Sequence, residues 1–125
     1  MKRTLLLLIA ITVFGGFNTA QSQGKTKWKE MDAFHEVMAK TFHPAEEGKL
    51  EPIKARSQEM LDKATAWKNS TPPEGYNTKE VKTSLKNLVK GAKQLNKLVK
   101  GSAPDKEITE KLSALHDVFH ELMEK

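Results

Sequence analysis

VKTSLKNLVKGAKQLNKLV, residues 81–99, carries Val81, Leu85, Leu88, Ala92, Leu95 and Val99 at steps of four, three, four, three and four. That stepping keeps all six on one side of a 3.6-residue helix, the apolar seam that a bundle helix buries. The far side is a run of lysines, Lys79, Lys82, Lys86, Lys90, Lys93, Lys97 and Lys100, opposed by Glu80 alone. Asn77 with Glu80 three residues later resembles a capping box at the start of this helix, and Gly101 ends it.

Working outward, the same pattern recurs three times. After Ser102-Ala103-Pro104, a helix from about Asp105 puts Ile108, Leu112, Leu115, Phe119 and Leu122 on its seam, with acids in the first turn where the helix dipole favours them. Upstream, the breaker-rich stretch from Ser70 to Tyr76 is a loop, preceded by a helix with Leu50, Ile53, Ser57, Met60, Ala64 and Trp67 on its seam. Pro52 suits the first turn of that helix, where its missing N–H costs nothing. The first helix runs from Trp28 through Met31, His35, Met38 and Phe42, which places His35 inward; it is expected to stop at His43-Pro44, because the residue before a proline is pushed out of the α region. The stretch from Ala45 to Lys49 then reads as a connection. No internal repeat or low-complexity segment is evident. Four such seams on short connections predict an all-α fold, an antiparallel up-down-up-down four-helix bundle over residues 23–125.

Residues 1–22 read as a signal peptide: Lys2-Arg3, an apolar run from Leu5 to Phe14, then small and polar residues with a cleavage pattern at Ala20-Gln21-Ser22. The run is short for a retained span of ~20 residues. The expected location is therefore the periplasm. The chain has no cysteine, which removes a lipoprotein anchor, disulfides, thiolate metal sites and covalent c-type haem. Losing Lys2 and Arg3 lowers the net charge from +5 to +3, too mild to call for a nucleic-acid partner.

The chemistry is concentrated in the histidines. His116 and His120 stand four apart on one face of the last helix, a spacing that lets two imidazoles grip one metal ion. If the first and last helices are antiparallel neighbours, paired residue numbers sum to about 153 and His35 falls level with residue 118, between the two. Three imidazoles then form the expected metal site, with Met31, Met38, Met123, Glu36 or Glu121 as possible further ligands. Imidazoles alone suit zinc, whereas an added thioether favours copper. His43 lies about 12 Å along the axis from His35 at ~1.5 Å per residue, outside this site, and could join Glu46 and Glu47 in a second one. Lys82, Lys86, Lys90, Lys93 and Lys97 form a face that is either simply solvated or docks an anionic protein or membrane surface.

A cysteine-free exported bundle with Met and His in its first helix and His in its last resembles the soluble periplasmic b-type cytochromes. That resemblance implies haem b between the helices, with Met31 or Met38 and His116 or His120 as axial ligands. The additional His35 departs from the pattern and points to bis-His ligation or to a small metal ion instead. Exported metal-sensing and metal-resistance proteins share only the use of His and Met on helices.

Three functions follow as expectations. The first is a non-enzymatic metal-binding bundle, monomeric or dimeric, that buffers, delivers or senses zinc or copper. The second is a haem electron carrier. The third is a chaperone-like interaction bundle using the lysine face, in which the histidines tune stability with pH. No serine, cysteine or paired-carboxylate arrangement at a recognisable spacing suggests an enzyme.

Overall fold

A computed structural model describes residues 28–124, so the expected leader lies outside the described residues. Among them there are four helices and no strands: α1 Lys29–Glu46, α2 Glu51–Asn69, α3 Lys79–Lys100 and α4 Asp105–Met123. They form a four-helix bundle in which α1 packs on α2, α2 on α3 and α3 on α4, while α1 and α4 meet over a much thinner contact.

For α2 and α4 every expected seam residue is buried, and α3 buries its seam from Val81 to Leu95 with Val99 half-buried. In α1 the buried face is instead Phe34, Val37, Met38, Thr41 and Ala45, while His35 is exposed and Met31 and Phe42 are half-buried. The expectation that His35 points inward is therefore corrected. Phe34 offers far more apolar area than an imidazole, and rotating the helix by one residue to bury it also brings in Val37. Thr41 can join that face because its hydroxyl donates to the Val37 carbonyl at 2.9 Å.

Helix ends depart from expectation in two places. Pro44 does not stop α1; it sits inside the last turn, and the helix closes at Gly48 (φ 85), whose N–H donates to the Ala45 carbonyl while Lys49 N–H reaches back to Pro44. This is a Schellman ending, in which glycine takes the left-handed position without Cβ strain. At the start of α3 the cap is Thr78, whose hydroxyl accepts from Val81 N–H at 3.1 Å, and not Asn77.

The core includes an aromatic layer drawn from three helices. Phe34, Trp67 and Phe119 have ring centroids 5.4 to 6.0 Å apart, inside the range for favourable tilted and edge-on packing. At one end Trp28 meets Trp67 and Tyr76 edge-on, and its indole N–H donates to Ser70 Oγ at 2.8 Å. Between α2 and α3 the seam is partly polar. Buried Ser57 donates to Asn96 Oδ1 at 2.8 Å and Asn96 donates on to Gln58, so this pair is satisfied within the core. On the α3–α4 side Gly91 allows close approach, since a Cβ there would stand 2.9 Å from Leu115 Cδ1.

Candidate metal site

The thin contact between α1 and α4 leaves a groove of about 200 Å³ along their outer seam. Burying Phe34 and Phe119 turns their chain neighbours, His35 and His120, toward its mouth. All four histidines of the chain line it, together with Met38 and Met123. His116 and His120 are one turn apart, with ring centroids at 4.5 Å. Across the groove the Phe42 ring lies flat on His116, at 3.8 Å and 8° between planes, and His35 packs against Phe119 at 5.4 Å.

His35, His116 and His120 all line this groove, and so does His43, which the axial spacing had placed elsewhere. Axial distance from His35 was the wrong measure. His43 follows Phe42, the residue that stacks on His116, and so reaches the groove from its other end. The suggested second site does not assemble: His43 Nδ1 is 3.4 Å from Glu46 Oε1, but Glu47 turns to Lys49 at 3.8 Å. Among the further candidates, Met38 is fully buried at the groove floor and Met123 is exposed at its edge. Met31 packs against the core outside the groove. Glu36 is held by Arg56 at 3.3 Å and Lys40 at 3.5 Å, and Glu121 is exposed outside the lining. Among the described residues no three His, Cys, Asp or Glu side chains are already gathered around one point as a metal cage. The arrangement is a pair of rings, His116 and His120, with His35, His43, Met38 and Met123 also along the groove.

A pattern that a search for long repeats passes over underlies this convergence. Phe34-His35-Glu36-Val37-Met38 in α1 returns as Phe119-His120-Glu121-Leu122-Met123 in α4. In each copy the Phe enters the aromatic layer, the His stands at the groove, the Glu lies outside its lining and the Met, four residues after the Phe, lines the groove, buried as Met38 and exposed as Met123. Aligning the two helices by hand on their Phe-His steps would have found it.

Charge is unevenly spread over the two helices, although no carboxylate lines the groove itself. The acids number four in α1 and five in α4, against two lysines in each. His116 titrates below an ordinary imidazole, first because it is desolvated and then because His120 stands beside it, with a smaller push from His43; Asp117 and Glu46 pull the other way. The folded protein thus resists a proton that the unfolded chain accepts near pH 6.5. Below that value the unfolded state binds more protons, so the stability from neutral His116 is present above about pH 6.5 and is lost as the pH falls further. Phe42→Leu, which thins the ring covering His116, should move its titration upward in an NMR pH series and flatten this acid loss. An unchanged titration would show that the stack does not exclude water.

The groove is smaller than the ~300–1,000 Å³ typical of organic ligand pockets, and Phe42 already occupies the face of His116. Comparisons with protein families, with curated proteins and with solved structures each find no match.

Proposed function

We propose that this protein is an exported, non-enzymatic helical bundle that binds a late transition-metal ion in the α1–α4 groove and serves to buffer, deliver or sense it. The observation that carries the reading is that every histidine in the chain lines this one groove. Four imidazoles placed independently on a bundle surface would seldom share one seam.

His116 and His120 make the first two bonds, because a metal at about 2.0–2.1 Å from each nitrogen needs only small rotations of rings already one turn apart. His35, exposed across the groove, supplies the third donor, and water or Met123 the fourth. Thioethers at the floor and edge tilt the preference from zinc toward copper, Cu(I) in particular. His43, within 3.4 Å of Glu46, stands at the outer end of the groove. An antiparallel order of the helices supports the same picture: the start of α1 bonds to the loop after α2 through Trp28 and Ser70, and the Phe34–Phe119 pair sums to 153.

Calorimetric titration of metal-free protein with Zn(II), Cu(II) and, under reductant, Cu(I) tests this. One equivalent should bind, with His116→Ala and His120→Ala each weakening affinity on the order of a hundred-fold, His35→Ala about ten-fold, and His43→Ala less. Equal affinity in the His116→Ala/His120→Ala double variant would sink the assignment.

A further inference from the structure

The lysines of α3 form a geometric figure of their own. At 100° per residue Lys79, Lys82, Lys86, Lys90, Lys93, Lys97 and Lys100 all fall within an arc of about 80°, and their line runs about 30 Å along the helix. All seven are exposed. Each is three or four residues from the next, so every neighbouring pair repels. The other helices relieve such strain with ion pairs along their own faces, Glu36 with Lys40, Arg56 with Glu59 and Lys106 with Glu110. Among the described residues no α3 lysine has an ion-pair partner; Lys100 alone finds a hydrogen bond, to Gln58.

At one end the stripe opens into a cavity of about 390 Å³ between the end of α2, the Pro72 loop and the start of α3. Lys68, Lys82 and Lys86 surround it, Val81, Leu85 and Pro72 supply apolar wall, and no carboxylate lines it. Its volume falls within the ordinary range for organic ligands.

We propose that α3 is the face by which this protein docks on an anionic phospholipid surface, with a headgroup phosphate held among Lys68, Lys82 and Lys86 and its glycerol against Val81 and Leu85. A straight, single-sign line without apolar anchors lies tangent to a plane. The cavity, cationic at its rim and apolar in its wall, matches the chemistry just below a headgroup. The figure suits a bilayer better than a curved duplex or a folded acidic partner. Because α3 packs on α2 and α4 but not on α1, the docked protein leaves the α1–α4 groove open to solution.

Near a charged bilayer each lysine is worth about a five-fold change in partitioning. Co-sedimentation of the protein with phosphatidylcholine vesicles, with and without about one third phosphatidylglycerol, should show binding only to the anionic set, falling steeply between about 0.05 M and 0.3 M salt. The variant K90Q/K93Q/K97Q keeps helix propensity and should lose at least ten-fold in partitioning, as should K68Q/K82Q/K86Q. K40Q/K49Q/K106Q makes the same charge change elsewhere and should lose less than two-fold. Circular dichroism melts of all three variants check that each folds. Backbone amide shifts at Val81 and Lys82 should move with anionic vesicles or a short-chain phosphatidylglycerol but not with inorganic phosphate at matched concentration.

Equal losses in all three variants, equal binding to neutral vesicles, tighter binding to duplex DNA at the same salt, or shifts with inorganic phosphate alone would each overturn the proposal. Metal affinity plays no part in these readouts, so they stand apart from the groove reading.

Discussion

Loading the α1–α4 groove with the proposed metal ion is expected to raise the free energy of unfolding by about 2.7 kcal/mol when the free ion stands at a hundred times its dissociation constant, and about 4.1 kcal/mol at a thousand. For a domain of this size that is roughly 10–20 °C in the melting midpoint for the first and roughly 15–30 °C for the second. The gain is a linkage effect: the folded groove presents His116 and His120 together, whereas the unfolded chain holds them apart only loosely and binds more weakly. Because His116 resists protonation when folded, the metal competes with few protons at neutral pH, and the stabilisation should shrink once acid protonates that ring. Thermal melts of metal-free and loaded protein, with and without His120→Ala, measure this directly. A shift of the same size in the variant would mean the ion acts elsewhere on the chain.

Phe119→Ala is expected to cost about 3–5 kcal/mol, the range for a fully buried aromatic truncated to a methyl. Phe119 is 3% exposed, and its ring meets Phe34 at 5.4 Å, Trp67 at 6.0 Å and His35 at 5.4 Å, so its loss opens a cavity where α1, α2 and α4 converge. The contact between α1 and α4 is already the thinnest in the bundle and has little else to hold it. The effect should therefore reach function: the groove widens, His35 loses its backing, and metal affinity falls even though no donor has been removed. Phe119→Leu, which keeps most of the volume, should retain most of both. Denaturant unfolding of the two variants beside their metal titrations decides the matter. A cost under about 1 kcal/mol for Phe119→Ala would show that the aromatic layer is not what joins α1 to α4.

Much of this was legible in the residues alone. The seams of α2 and α4 were readable position by position, because Leu, Ile, Met and Trp at three and four spacing leave a helix one way to face inward. The seam of α1 was not. It contains two overlapping stripes, one through His35 and Phe42 and one through Phe34, Val37 and Met38, and periodicity by itself cannot rank them. Neighbouring aromatics from α2 and α4 decide for Phe34. The end of α1 was hidden for a related reason: a proline normally argues for a stop, but in a last turn that is closed by Gly48 it can be accommodated.

The candidate site divides in the same way. The i,i+4 spacing of His116 and His120, the absence of thiols and the lysine stripe of α3 are properties of local order along the chain, and sequence by itself determined them, together with a four-helix fold. The arrival of His43 at the groove, the turning of His35 from core to rim and the stacking of Phe42 on His116 depend on how α1 rotates against α2 and α4. That rotation follows from competition for buried aromatic area among helices distant in the chain, and only the tertiary structure could decide it.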